Sequence, residues 1–434
     1  MKENRFAQYD AETRDLVLAF EGSRDGGNRY FDADQIETIA DFYIGNWDEK
    51  GLADVVQLGE QLFPDNVTIS VYRAYLYGMR NNPDEALRHL HKLERDYPDH
   101  YSVTYALGVT YSLKGDHEQA YQYFLKSVSD NLRIDVVYCN IADSLCALGR
   151  HAEAVHYYKL SIKQVPEHNR SCPLLAEAWD MLGKSEEGVD YFTKHVADHP
   201  FSKEGWHALG YSYHSLKLYE KACDAFEYAI AIDKHYYDAY LCYAETLKMM
   251  HQYDRAIQVL HDTLDFAFDS CFVYDSMAQL FMLQGNYQTA YTYLKKAVEQ
   301  DQSFAQAWDD LGNCADRLGY DEEAIDGFCR AIRLDTSNDI YWLDLVDFFI
   351  RFKEYPEAVA ILEQSRDNAD DVFSFDSRLI YCYFKLGLRN RIFSQLRSSA
   401  PHFAPLYPSL FLQYPELAQD PEIVEMINVF TQQI

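Results

Sequence analysis

Small and apolar residues recur along the chain with a period of 34 residues, counted from Ala33. Eleven such units follow one another to Leu406 without insertion or deletion. The eighth position is small in nine units and carries Ala40, Ala74, Gly108, Ala142, Ala176, Gly210, Ala244, Ala278, Gly312, Val346 and Ile380. Position 20 is likewise small in nine units, and position 24 is always apolar or aromatic. Small residues in fixed columns let two helix backbones approach closely, so each unit is predicted to contain two packed helices.

Glycine and proline mark where these helices are expected to end. Position 15 is glycine in six units: Gly115, Gly149, Gly183, Gly285, Gly319 and Gly387. A glycine there can take the left-handed conformation that follows many helices. Proline stands at position 32 as Pro64, Pro98, Pro166 and Pro200, where it would break no helical hydrogen bond.

The pattern resembles the tetratricopeptide repeat, a hairpin of two helices. The resemblance rests on a set of residues that recurs 102 positions later, Trp206, Leu209, Gly210, Ala222, Phe226 and Ala229, then Trp308, Leu311, Gly312, Ala324, Phe328 and Ala331. It implies an all-α fold, an α-solenoid in which about eleven hairpins form a right-handed superhelix. The long, bacterial-type cytosolic arrays without an attached catalytic domain are the most similar kind. Two alternatives fit the sequence less well. Pentatricopeptide arrays usually have a period of 35 and a basic face, and neither is found here. A generic amphipathic all-α protein would not keep small residues in fixed columns.

Both flanks of the array are predicted to be caps, because an end unit of a solenoid exposes an apolar face. Residues 1–32 are expected to form an N-terminal capping segment with a helix over residues 11–21, ended by Gly26 and Gly27. Residues 33–406 would be the array, and residues 407–434 a C-terminal cap whose helix begins at Asp420 and Pro421. Within the array, Pro173 either lies in the first turn of a helix capped by Ser171 or makes a kink.

The charge narrows the class of partner. The chain has 69 acidic and 39 basic residues among 434, a net charge of −30, with 48% apolar and 15% aromatic residues. Intrinsic disorder does not fit so apolar a composition. Nucleic acid and anionic membranes would be repelled, whereas a basic protein segment would be attracted. Strong acidity is also an ordinary route to solubility.

The cysteines and the N-terminal residues predict a cytoplasmic protein. The nine cysteines include no C-x-x-C pair, so they are interpreted as reduced, mostly buried thiols. The first ten residues contain no apolar stretch of a signal peptide, and no run of 18 uncharged apolar residues occurs.

Motifs for catalysis are lacking, so the chain is predicted not to be an enzyme and to need no cofactor. Phosphate-binding glycine loops, the G-x-S-x-G nucleophile motif and H-E-x-x-H are all absent from the sequence. His195 and His199 stand four residues apart, as metal ligands on a helix would, but no patterned Cys or acidic residue accompanies them, which favours a structural role. An unrecognised site would need hydrogen-bonded polar residues with strongly shifted pKa values.

The resemblance also implies a binding groove, since the first helices of the family line the concave face. Positions 2, 5, 9, 12 and 13, which usually point into it, hold 13 acidic and 5 basic residues over the eleven units. The predicted partner-binding residues are Glu177, Asp180, Tyr211, His214, Glu245, Asp275, Asp309, Asn313 and Asp316. More apolar stretches flank this acidic centre, and they are either open or filled by the chain's own termini. The lysines and asparagines of a carboxylate clamp are missing.

Two functions are compatible with these features. The first is a scaffold or adaptor that binds an extended or helical, basic segment of a partner protein, with Lys or Arg flanked by apolar residues, in the acidic groove. The second is a structural solenoid that associates with itself, as a dimer or filament, without a dedicated peptide ligand. Light scattering over a concentration series separates them.

Overall fold

The computed structural model describes residues 4–6, 9–24, 30–130, 133–167, 169–266 and 270–432. These residues contain helices and no strand, and the chain divides into two compact units, Met1–Cys242 and Tyr243–Ile434. The helices that begin in the first unit are α1 Ala11–Arg24, α2 Ala33–Gly45, α3 Glu49–Leu62, α4 Val67–Met79, α5 Pro83–Asp96, α6 Tyr101–Leu113, α7 His117–Lys126, α8 Ile134–Ala147, α9 His151–Gln164, α10 Ser171–Met181, α11 Ser185–Asp198, α12 Lys203–Ser215, α13 Tyr219–Ile232 and α14 Tyr237–Met249. Those of the second are α15 Tyr253–Thr263, α16 Ser270–Leu283, α17 Tyr287–Gln300, α18 Ala305–Leu318, α19 Asp321–Leu334, α20 Asp339–Arg351, α21 Tyr355–Ser365, α22 Val372–Lys385, α23 Arg389–Phe403, α24 Pro408–Gln413 and α25 Pro421–Gln432.

Consecutive helices pair as hairpins and the hairpins stack within each unit. In the first unit, α8 packs on α9 and α12 on α13, and the first helices of neighbouring hairpins also touch, as α4 with α6 and α10 with α12. In the second unit, α16 packs on α17 and α18 on α19, while α18 also contacts α16 and α20. The predicted all-α solenoid is therefore confirmed.

The small residue at position 8 makes room for the large residue at position 24 of the same hairpin. A Cβ atom added to Gly210 would lie 2.6 Å from the ring of Phe226, and one added to Gly312 would lie 2.8 Å from Phe328. Both phenylalanines are buried. The two columns are thus coupled by packing, because a longer side chain at position 8 would meet the ring.

Position 15 has a left-handed backbone in every one of the eleven units. The six predicted glycines have φ between 66° and 82°. The other five units reach the same conformation without glycine, with Trp47, Asn81, Lys217, His251 and Lys353 at φ between 51° and 64°. The turn between the two helices therefore imposes this conformation whatever residue the sequence supplies.

Replacing Lys217 by glycine is expected to raise the free energy of unfolding by about 0.5 kcal/mol. A residue with a Cβ is less favourable in the left-handed region, and the greater freedom of glycine in the unfolded chain offsets part of the gain. Urea unfolding of the variant measures the difference. The reverse change, Gly115→Ala, should lower the free energy of unfolding by a similar amount, and no atom lies within 4 Å of the added Cβ to cause a clash.

Pro173 does not kink its helix. It is the third residue of α10, within the first turn, where its missing N–H costs no hydrogen bond. The backbone N–H of Ser171 donates to Oδ1 of Asn169 at 2.8 Å, so Asn169 supplies the capping oxygen that had been expected from Ser171. The side-chain amide of Asn169 also donates to the backbone carbonyl of Ser161 at 2.9 Å, and this bond ties the start of α10 to α9.

The terminal segments lie against the repeats at each end. Near the N-terminus, the rings of Phe6 and Tyr9 pack on Phe42, with centroids 5.0 and 4.8 Å away. Helix α1 continues to Arg24, past the predicted residue 21, while Gly26 and Gly27 lie outside the described residues. Near the C-terminus, Tyr414 stacks on Tyr381 of α22 with centroids 4.2 Å apart.

Helix α25 begins with Pro421, at the residue that the sequence predicts, after Asp420, whose Oδ1 accepts from the N–H of Glu422 at 3.1 Å. The groove positions of the last repeat are thus partly covered by the chain's own C-terminal segment, because Tyr381 occupies position 9.

Candidate protein-binding site

The predicted residues of the first unit lie on its neighbouring first helices. Glu177 and Asp180 belong to α10, Tyr211 belongs to α12, and α10 packs directly on α12. The carboxylates of Asp143 on α8 and Asp238 on α14 act on Glu177 through space and raise its pKa. We call these five residues, Asp143, Glu177, Asp180, Tyr211 and Asp238, the acidic face.

Glu177 carries a negative charge that its surroundings leave unneutralised. Partial burial raises its pKa most, and the charges of Asp143 and Asp238 raise it further. Among the residues that the structure describes, none forms a hydrogen bond or ion pair with the Glu177 side chain. The residue is nevertheless exposed. A cation from another molecule would therefore meet an accessible carboxylate whose charged form is disfavoured in the free protein.

Two other members of the acidic face, Asp143 and Asp180, have partners. The guanidinium of Arg170 donates to Oδ2 of Asp143 at 2.8 Å, and the Tyr158 hydroxyl donates to Oδ1 at 2.7 Å. Asp180 accepts a hydrogen bond from the Ser185 hydroxyl at 2.8 Å. Asp143 is thus largely compensated within the unit, whereas Glu177 and Asp238 are exposed and have no hydrogen bond or ion pair with the described residues.

Tyr211, a member of the acidic face, and His214 both belong to α12. Burial raises the pKa of Tyr211 to about 12, with smaller contributions from Asp180 and Glu177, so the phenol stays neutral and can donate a hydrogen bond at physiological pH. The ring of His214 packs edge-on against Tyr219, with centroids 5.4 Å apart.

An exposed apolar side chain stands next to the acids. Met181, the last residue of α10, is 71% exposed and lies one helical turn after Glu177. Leu113, at the corresponding thirteenth position of its repeat, is also exposed. A thioether beside an unneutralised carboxylate offers both an apolar contact and a charge contact to a bound segment.

Two predicted residues of the second unit are already paired with cations. Lys248 lies 2.5 Å from Glu245 on the same helix, and Arg351 of α20 pairs with Asp316 of α18. The first pair joins residues three apart on one helix, whereas the second joins position 12 of one repeat to position 13 of the next and forms only when the repeats stack. Their negative charge is less available than that of Glu177.

The remaining predicted residues, Asp275, Asp309 and Asn313, lie in two hydrogen-bonded clusters. Asp275 and Asp309 are only 5% and 1% exposed. The amide of Asn313 donates to Oδ2 of Asp309 at 3.2 Å and to Oδ2 of Asp344 at 2.8 Å. Asp275 and Asp309 are therefore buried within the second unit, whereas Asn313 is half-exposed.

Residues Gln279, Asp310 and Asp344, which complete these clusters, were not among the predicted site residues. Gln279 donates to Oδ2 of Asp275 and to Oδ2 of Asp310, both at 3.0 Å. The signal that could have found them is the repeat itself. Position 9 of one unit contacts position 6 of the next, 31 residues later, both in this cluster and in the one around Asn313.

The pair His195 and His199 has an acidic neighbour among the described residues, Glu167, whose Oε1 lies 4.0 Å from Nδ1 of His199. Their ring centroids are 5.2 Å apart, and burial lowers the pKa of His195. No group of three or more His, Cys, Asp or Glu residues that could hold a metal ion occurs in the described ranges. Among the helices in those ranges, none combines the length and the apolar character that crossing a bilayer requires.

Comparison with known proteins points to one family. Models described as tetratricopeptide repeat match residues 73–131 and 276–339, residues 136–168, residues 204–235 and residues 225–258. No curated protein matches the sequence.

Solved structures with a similar fold have low sequence identity. Yeast Tom70 is 15% identical, with a TM-score of 0.50, covering 91% of this chain and 96% of that one. Cut9, in its complex with Hcn1 from the APC/C, is 12% identical, with a TM-score of 0.43 and coverage of 92% and 96%. A tetratricopeptide repeat protein from Parabacteroides merdae is 18% identical, with a TM-score of 0.41 and coverage of 56% and 97%. At these identities the likeness concerns the fold alone.

Proposed function

The chain belongs to the tetratricopeptide repeat family, and from that premise we propose that it is a protein-binding scaffold whose acidic face holds a basic segment of a partner protein. The segment is extended or helical and carries a Lys or Arg residue next to an apolar one. The cation binds at Glu177, and the apolar neighbour packs on Met181.

The observation that carries this proposal is the unneutralised charge of Glu177. Its pKa is raised by burial and by Asp143 and Asp238, so ionisation costs free energy in the unbound protein. A guanidinium or ammonium group brought by a partner would remove part of that cost, because an opposite charge favours the ionised form. Binding and ionisation of Glu177 would thus support each other.

Charge alone would give selectivity and fast association more than affinity. An exposed ion pair contributes only about 0.2–1 kcal/mol, and salt screens it. The apolar surface of Met181 and the phenol of Tyr211 supply contacts that salt does not weaken. The proposed partner therefore needs both kinds of side chain.

Reversing the charge of Glu177 and Asp180 together, to lysine, is expected to weaken binding of a basic amphipathic peptide at least about tenfold, since each reversal replaces an attraction of up to about 1 kcal/mol by repulsion. Fluorescence anisotropy of the labelled peptide measures the dissociation constant, and a peptide with its Lys and Arg replaced by Glu tests the sign. Binding of the natural chain should also weaken between about 50 and 300 mM salt.

The matched control reverses two exposed acids on second helices of the same hairpins, Asp190 on α11 and Asp224 on α13. It changes the net charge equally but leaves the acidic face intact. Equal loss in both variants would mean that only overall charge matters. A lowered melting temperature of the Glu177 and Asp180 variant would mean that these residues serve the fold instead.

A further inference from the structure

Two clusters in the second unit have the same construction one repeat apart. The first carboxyl cluster consists of Asp275, Gln279 and Asp310, and the second consists of Asp309, Asn313 and Asp344. In each, an amide at position 9 lies between an aspartate at position 5 of its own repeat and an aspartate at position 6 of the next. The four aspartates belong to the adjacent helices α16, α18 and α20.

The hydrogen bonds within each cluster leave one buried oxygen without a donor. A side-chain amide has two N–H groups. The two N–H groups of Gln279 donate to Oδ2 of Asp275 and to Oδ2 of Asp310. In the same way, the two N–H groups of Asn313 donate to Oδ2 of Asp309 and to Oδ2 of Asp344. Oδ1 of Asp275 and Oδ1 of Asp309 are buried and receive no hydrogen bond from the described residues. A bare carboxylate oxygen in such a place costs several kcal/mol in general.

Among the residues that the structure describes, none supplies a cation to either oxygen. The second helices α17 and α19 place apolar residues such as Leu294 and Phe328 in the core around α16 and α18. The titratable groups facing the clusters from the first helices are Cys314 on α18 and Tyr341 on α20. Arg378 of α22 interacts with Asp344 through space, but its guanidinium is bound to both oxygens of Asp347 at 2.7 Å.

We propose that each carboxyl cluster binds one proton at neutral pH and that the second unit is thereby a pair of proton-binding sites. In each site the carboxyl that lacks a donor carries the proton and donates it to the facing carboxylate, Asp275 to Asp310 and Asp309 to Asp344. The two bare oxygens are closed off from solvent. A guanidinium, an ammonium or a hydrated metal ion could reach them only if the helices separated, whereas a proton can bind without any separation of the helices.

The pKa values agree with this assignment. Burial raises the pKa of Asp275 to about 8, with a further contribution from the charge of Asp310. Burial likewise raises the pKa of Asp309 to about 9, with further contributions from Asp344 and Asp310. Burial also raises the pKa of Asp310.

The pH dependence follows from proton counting. An aspartate in the unfolded chain has a pKa near 3.9 and is ionised at neutral pH, whereas the folded clusters retain their protons. The folded state then binds more protons than the unfolded state, so stability falls as pH rises from about 4 towards 8 or 9. Above that window, like charges meet between α16, α18 and α20, and this part of the second unit loosens.

The test compares melting temperatures between pH 7 and 9.5 for the natural chain, for Asp275→Asn with Asp309→Asn, and for Asp265→Asn with Asp370→Asn. The last two residues are exposed, so this control replaces the same number of aspartate carboxyls elsewhere in the second unit. We expect the natural chain and the control to lose several degrees over this range. The cluster variant should lose clearly less and melt highest at pH 9, because an asparagine amide donates where the proton did. Parallel curves for all three proteins would overturn the proposal.

A second measurement does not depend on any variant. Carbon-13 NMR of aspartate carboxyls in the natural chain should show two resonances titrating between about pH 7 and 9.5, far above ordinary aspartates. If every aspartate carboxyl titrates below about pH 5, the clusters hold no protons and the proposal is wrong. Neither measurement involves the acidic face, so a failure here is distinct from a failure of the proposed function.

Discussion

Alanine in place of Gly327 is expected to lower the free energy of unfolding of the second unit by about 2 kcal/mol. A Cβ atom at this position of α19 would lie 2.8 Å from the carbonyl oxygen of Trp308 and 2.9 Å from the Cα and N atoms of Gly312. These are backbone atoms of α18, so no flexible side chain can move aside. Overpacking of this kind costs about 1–3 kcal/mol or more, and the better helix propensity of alanine, up to about 1 kcal/mol, offsets part of it.

Urea unfolding followed by circular dichroism measures this loss. The matched control is Gly22→Ala in α1, where no atom lies within 4 Å of the added Cβ. That substitution should be neutral or slightly stabilising, since only helix propensity changes. A Gly327→Ala protein as stable as the natural one would mean that α18 and α19 can separate at little cost.

The same displacement reaches the carboxyl clusters. Asp309, Asp310 and Asn313 all belong to α18, the helix that an alanine at position 327 would push. We therefore expect the hydrogen bond from Asn313 to Asp344 of α20 to lengthen in this variant. Packing between the two helices of one hairpin thus positions the polar residues that join successive hairpins.

The sequence was sufficient to predict the hairpins, because packing depends on side-chain size in fixed columns. The columns of Gly312 and Phe328 were predicted to pack between helices, but the direct contact of the two residues within one hairpin is known only from the structure. The left-handed turn at Gly319 could be predicted as well. The same turn at Lys217 could not be predicted from the residue type, because lysine does not favour the left-handed conformation. Only the position of Lys217 in the repeat indicates it.

The candidate site was less predictable. A repeat position predicts which face a residue occupies, but it does not predict what lies opposite. Asp275 at position 5 and Glu177 at position 9 of their repeats were both predicted to be partner-binding residues, yet one is buried in a carboxyl cluster and the other is exposed and unpaired. Their difference arises from the residue 31 positions or more away on the next hairpin, so it required the structure.

Among the ion pairs of the described residues, the pair of Arg366 with Asp376 is expected to give the largest loss in the free energy of unfolding when one partner is replaced. Asp376 on α22 is 1% exposed, and Arg366 contacts its carboxylate through Nε and, at 3.3 Å, through Nη2. Gln395 of α23 donates to the same carboxylate at 2.8 Å. Arg366→Met would leave a buried negative charge with one amide donor.

Loss of one partner from a buried pair costs about 3–5 kcal/mol, and we expect about 3 for Arg366→Met because water can reach the partly exposed arginine site. Arg88→Met, which breaks an exposed pair with Glu85, is the control and should cost less than about 1 kcal/mol.

If the cost arises from the uncompensated charge, then Asp376→Asn added to Arg366→Met should recover most of the stability, since the neutral amide needs no cation. Failure of that second change to restore stability would show that the arginine acts through packing, and urea unfolding of the single and double variants decides between the two.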